Sequence, residues 1–335
     1  MCEMGKQKAT LPRRTDRAAF KTRGVVLVPE DLTLEDWPER AQRAGLTTVA
    51  LHHQNSPKAV ANLIQSDQGQ QFLETCRQLR LEVEYELHAM KELLPRDLFA
   101  QDSSLFRTNE QGERRPDANL CVHSRRALEI VGERAAALAK LLRPTTSRYF
   151  FWGDDGQPWC RCAKCRELSD SDQALLLENH VYKVLREQDD KALLAHLAYS
   201  RTLTPPKQVK PEKGVFLEYA PINRRYEIAY SQQTDRAQMD GLHALDANMQ
   251  VFHYETAQVL EYWLDVSRFS KWKKPTVKLP WNKKVFIEDL DTYYSRGIRH
   301  ITTFAVWTDA DYLKRYGEPT FIAEYGAGLS GSARE

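Results

Sequence analysis

Eight short apolar runs, most of them separated by an amphipathic helical stretch, constrain this chain more than any other feature. They read GVVLVP (24–29), LTTVAL (46–51), LEVEYEL (81–87), YFFW (149–152), ALLAHLAY (192–199), GVFLEY (214–219), MQVFHY (249–254) and ITTFAVW (301–307). Short apolar runs of this kind suit strands buried on both faces. Eight of them with helices between predict a single (β/α)8 barrel. An open doubly wound sheet would want a phosphate-binding G-x-G-x-x-G after the first strand, where the chain reads VPEDLTLED.

Local signals place the helices. Asp36 precedes Trp37-Pro38 as an N-cap, and Gly45 ends that helix. A helix is expected over 57–79 with an interruption near Gly69, another from Ser124 to Leu142, and others near 171–187, 235–247 and 281–295, with a closing helix in the tail. The link between the fifth and sixth strands is too short for a helix. The stretch from Lys91 to Val122 is irregular but carries Phe99, Leu105 and Phe106, which predicts an ordered loop laid over the barrel mouth. Residues 1–22 are expected to be a flexible tail and 23–330 the barrel, a catalytic domain.

The balance of 48 basic against 46 acidic side chains gives no argument for nucleic acid or a membrane surface. No run reaches the ~20 apolar residues of a membrane span. The first residues, MCEMGKQKATLPRRTDR, lack an apolar leader core, so a cytoplasmic protein is expected.

The densest chemistry follows the fourth strand, in RYFFWGDDGQPWCRCAKC (148–165). Adjacent carboxylates at a strand end are costly to bury without partners or a task. Two close acids also drive one pKa up, leaving an acid and a charged partner, the division of labour that glycoside hydrolysis needs. Asp155 and Asp154 are therefore catalytic candidates, against the plainer reading of an Asp-Asp-Gly turn. Glu218 and Glu255 are candidates for a second carboxylate. His52, His53, His88, Trp152, Tyr199, Tyr219, Tyr254, Trp307 and Asp309 also follow strands and are candidates for a sugar pocket, where aromatic faces stack on C–H faces.

Cys160, Cys162 and Cys165 are spaced C-x-C-x-x-C, with Cys121 upstream. They could hold a structural zinc as thiolates, with Cys121 or a histidine as fourth ligand, or stand as reduced thiols in a tight loop. Catalysis itself calls for no cofactor.

At this segment the chain resembles uncharacterised bacterial barrel domains grouped with α-glucuronidases and hexosaminidases among the glycoside hydrolases. The residues that carry the resemblance are Asp155-Gly156, Cys160, Cys162 and Cys165, with His88, Leu94-Pro95, Phe99, Phe106 and Asn119-Leu120-Cys121 upstream. It implies a carbohydrate-active barrel over about residues 24–330. Asp154-Asp155 is also similar to the Asp-Asp pair of O-GlcNAcase-type hexosaminidases. That similarity implies Asp154 as the group orienting a substrate acetamido group and Asp155 as general acid. The expectation is a glycoside hydrolase acting on a carbohydrate, with uronic acids and N-acetylhexosamines as the sugars the resemblance implies. The alternatives are a non-catalytic carbohydrate-binding barrel, and a metal-dependent sugar isomerase or aldolase using the histidines.

Overall fold

The computed structural model describes residues 19–53 and 56–331. Eight strands, β1 (Thr22–Leu27), β2 (Thr48–Leu51), β3 (Glu82–His88), β4 (Arg148–Trp152), β5 (Leu193–Ala198), β6 (Val215–Tyr219), β7 (Gln258–Glu261) and β8 (His300–Phe304), close in sequence order into one barrel. Every pairing is parallel, and β8 returns to β1. Residues 1–18, most of the expected tail, lie outside the described residues. Phe20 is already buried and donates its N–H to the Leu329 carbonyl, tying the entry of β1 to the last helix.

The helices follow their local signals. Ser124 Oγ accepts from Ala127 N at the start of 125–141, and Ser169 and Asp172 form a reciprocal capping box on 170–186. The 57–79 helix is two helices, 57–65 and 67–78, broken at Ser66, whose side chain caps the second. Between β5 and β6 the connection holds only a short 3-10 turn, 200–202. The 91–122 loop is ordered by short helical turns and the Thr108–Arg114 bridge. No described helix is long and apolar enough to cross a membrane.

One strand lies elsewhere than expected. Residues 249–254 form turns after the 236–248 helix, and β7 is Gln258–Glu261. The run MQVFHY is apolar because Phe252 is buried against the His196 ring at 5.0 Å, outside the barrel. The true strand is polar at both ends. Gln258 turns into the barrel and bonds Arg148 and Glu218, while Glu261 turns outward and takes Arg224 at 2.9 Å.

Candidate active site

The period of two along a strand decides which side chains enter the barrel. On β4 these are Arg148, Phe150 and Trp152, and on β3 Glu84, Glu86 and His88. The β3–β4 register sets His88 beside Trp152 at the carboxyl-end rim. Above this rim lies a cavity of about 400 Å³. Trp152 and Phe304 form its floor, with His52 packed edge-on to Phe304 at 5.1 Å and His88 against Trp152 at 5.0 Å. Tyr199, Tyr262 and Trp307 stand in the walls, and Trp272 at the edge is 59% exposed.

Asp155 faces this cavity. The chain turns sharply to present it. A Cβ on Gly153 would lie 2.9 Å from Asn119 Oδ1, and Gly156 adopts φ +60°, so both glycines are required. The Asp155 side chain is 41% exposed, is hydrogen-bonded by the Tyr199 phenol, and lies 3.8 Å from His88 Nε2. Burial depresses the pKa of His88. Its Nδ1 is 2.7 Å from the Gly153 carbonyl, which fixes the proton there and turns the bare Nε2 toward Asp155. Burial likewise holds His52 down at about 3, with Nδ1 on the Glu86 carbonyl at 2.6 Å. Neither imidazole is a cation at neutral pH.

A second carboxylate enters from beyond β7. Asp265 lines the cavity, and burial pushes its pKa up to about 6. Its Oδ1 accepts from Ser267 Oγ at 2.5 Å and Arg268 N at 3.1 Å, which fixes the rotamer. Burial raises the pKa of the Tyr262 phenol, and the nearby charges of Asp265 and Asp155 add to that; all three side chains line the same cavity. Sequence reading missed Asp265 and Tyr262 because it placed the seventh strand too early. Lys274, in the wall, was also missed, and its Nζ is 3.2 Å from Asp309 Oδ2 and 5.4 Å from the Trp307 ring centre.

Trp307 has φ +66°, a strained conformation for a bulky residue. Buried Asp31 holds it there, accepting Trp307 N at 2.7 Å and Val28 N at 2.9 Å. Burial raises the Asp31 pKa. This acid, which follows β1, therefore shapes the cavity without lining it, whereas its neighbour Glu30 does line it.

The cavity brings together Asp155, His52, His53, His88, Trp152, Tyr199 and Trp307. It does not include the remaining candidates. Asp154 is 6% exposed and turns away from the cavity, accepting from Arg96 and, at 2.6 Å, from Asn119 N, while Asn119 Oδ1 accepts Asp154 N at 2.9 Å. Glu218 lies beneath the floor, where Trp152 Nε1 donates to it at 2.9 Å. The Tyr219 hydroxyl points out of the barrel to Tyr230, at 2.6 Å, and to the Gly241 carbonyl. Tyr254 and Glu255 precede β7 and sit at the opposite, amino end of the barrel. There Tyr254 is exposed and the Glu255 backbone bonds His300. Asp309 caps the 310–316 helix, with Oδ1 on Tyr312 N at 2.8 Å, and meets the cavity only through Lys274. Cys121, Cys160, Cys162 and Cys165 gather below the loops, their sulfurs within 4.8 Å of one another.

The Asp154 clasp yields a first prediction. Asp154→Ala leaves Arg96 and a backbone N–H without their carboxylate, so a stability loss of about 3 kcal/mol is expected. Denaturant midpoints of the variant and of Arg96→Ala are expected to fall together, and the double variant to add little.

The architecture is that of a single (β/α)8 barrel. Solved structures with this fold include a β-N-acetylhexosaminidase from Bacteroides fragilis NCTC 9343, at 12% identity and TM-score 0.57, covering 92% of this chain and 65% of that one. A cold-adapted β-galactosidase from Rahnella sp. R3 matches at 13% identity and TM-score 0.60, covering 96% and 57%. A catalytic mutant of a GH42 β-galactosidase from G. stearothermophilus matches at 11% and 0.58, covering 94% and 57%. The chain thus spans about three fifths of the length of these structures, and at such identities the likeness is one of fold. A family model matches residues 8–265, and the chain belongs to that family, the domain of unknown function DUF4838. No curated protein matches the sequence.

Proposed function

We propose that the cavity is the active site of a glycoside hydrolase, with Asp155 as general acid and Asp265 as the charged carboxylate opposite it. The observation that carries this reading is the pair itself. Two acids, from beyond β4 and β7, border one aromatic-walled hollow together with Tyr262. Hydrolysis of a glycosidic bond needs a proton delivered to the leaving oxygen and a carboxylate on the other side of the sugar. The bare Nε2 of His88 faces the Asp155 carboxyl group at 3.8 Å. Asp265, with a pKa of about 6, is mostly ionised at neutral pH. The substrate is a carbohydrate held between the Trp152 floor and the walls of Tyr199, Tyr262 and Trp307.

Asp154 is fully engaged by Arg96 and Asn119, which disfavours a mechanism in which it orients an acetamido group. The isomerase or aldolase reading is weaker as well. Among the described residues, the histidines and carboxylates of the mouth form no group of three or more at metal-ligand spacing, and the set that does is the four cysteines.

Screening the purified chain against aryl β- and α-glycosides, including glucuronides, galactosides and N-acetylhexosaminides, tests the proposal. Turnover of at least one is expected. No turnover of any, together with saturable sugar binding, would establish the binding-barrel alternative. The pH profile supplies a second prediction. A raised carboxylate loses its charge as pH falls through its pKa, so kcat/KM is expected to drop tenfold per unit below about pH 6. A profile flat through that limb would remove Asp265 from its role.

A further inference from the structure

We infer that Cys121, Cys160, Cys162 and Cys165 form a closed tetrathiolate zinc site that holds the acid-bearing loop in place. The inference stands apart from the reaction assigned to the cavity and rests on the geometry of the four sulfurs. Cys121 Sγ is 3.8 Å from Cys162 Sγ and 3.8 Å from Cys165 Sγ, and all four atoms lie within 4.8 Å of one another. A tetrahedron of zinc–sulfur bonds of about 2.3 Å has edges of about 3.8 Å. A disulfide would bring two sulfurs to about 2.0 Å, and these thiols are free. A four-iron cluster interposes irons and sulfides and spreads its cysteines well beyond one tetrahedral edge. The spacing therefore fits a single ion, and four soft thiolates in that geometry favour zinc.

The surroundings are those of thiolates. Thr108 N donates to Cys160 Sγ at 3.2 Å and Cys162 N to the same sulfur at 3.5 Å. Such N–H···S contacts fix ligand orientation in metal sites. His123 Nδ1 lies 3.2 Å from Cys165 Sγ. Arg114 stands beside Cys121, Cys160 and Cys162, and its charge offsets the excess of negative charge that four thiolates leave on a divalent ion. Cys121, Cys160 and Cys165 are buried, and four protein ligands leave no open coordination position, so the ion is structural.

Its location explains its use. Cys121 ends the loop after β3, and the other three lie in the loop after β4. Neither loop has a strand or long helix of its own beside the cavity. The ion ties them together two residues from Asn119, which clasps Asp154, and five from Asp155.

The full chain, purified in reductant without added metal, is expected to carry one zinc per chain by plasma mass spectrometry. Titration with a thiol-reactive mercurial is expected to release that zinc to a chromogenic chelator. Cobalt refolded into the protein should give the intense visible bands of a tetrahedral tetrathiolate. Cys160→Ser and Cys121→Ser should lose the metal, and Cys76→Ala, outside the cluster, should keep it. If the serine variants fail to fold, the mercurial release and cobalt spectrum of the wild type decide the matter. Protein that holds only traces of zinc and takes up neither zinc nor cobalt on refolding would overturn the inference. So would bound iron, or a disulfide among the four cysteines in protein kept reduced.

Discussion

Asp155→Asn is expected to lower kcat on a glycoside with a poor leaving group by about 10²–10⁴-fold, the range of a lost general acid. The side chain is 41% exposed, and its neighbours are the Tyr199 phenol and His88 Nε2. An amide of the same shape leaves no charge unpaired, so the melting temperature should stay close to that of the wild type. The leaving group then separates the two acids. A nitrophenolate departs without protonation, so Asp155→Asn should retain far more activity on a nitrophenyl glycoside than on an alkyl one. Asp265→Asn removes the carboxylate on the other side of the sugar, and its loss should be large on both. Comparing kcat for the two substrate types in the two variants checks the assignment. Equal losses in Asp155→Asn on activated and unactivated substrates would rule out a role in protonating the leaving group.

The two acids differ in how readable they were. Asp155 follows an unbroken aromatic strand and a glycine, so local pattern alone puts it at the barrel rim. Asp265 follows Gln258–Glu261, whose burial depends on Arg148, Glu218 and Arg224. Those partners lie tens of residues away along the chain, and no local periodicity reports them. A polar strand and an apolar turn stood next to each other, and apolarity chose the wrong one. The same limit applies to Asp154 and Asp31. Both are carboxylates after barrel strands, as active-site residues are, yet Arg96 with Asn119 claims one and the strained backbone of Trp307 the other. The seven other strands were legible because each carries buried apolar residues, such as Val25, Leu27, Val49, Leu51, Val83 and Leu87, even where the positions that enter the barrel are charged, as in LEVEYEL. The helices were legible because Ser124 and Ser169 signal their starts with their own side chains.

The interior beneath the cavity gives the largest stability effect. Glu84, Glu86 and Glu218 point into the barrel from β3 and β6, and burial raises the pKa of each, Glu218 to about 8. Arg148 is the cation that tempers them. It stacks on Phe216 at 3.9 Å, approaches Glu84 Oε1 at 3.8 Å, and donates to Gln258 Oε1 at 3.1 Å and the Thr256 carbonyl at 3.2 Å. Arg148→Met keeps most of the volume and the contact with Phe216 but leaves the carboxylates without a countercharge. A loss of about 3–5 kcal/mol is expected near pH 8, the usual cost of orphaning buried charge. The pH dependence has a definite sign. A carboxyl group whose folded pKa lies above its unfolded value binds more protons in the folded state, so stability falls as pH rises between the two values. For Glu218 that window runs from about 4.5 to about 8. The variant should therefore be destabilised least near pH 5, where Glu218 is protonated and needs no countercharge, and most near pH 8. Urea unfolding of wild type and variant at both pH values measures the difference directly. A penalty equal at the two pH values would mean that Arg148 acts through packing on Phe216 and not through charge.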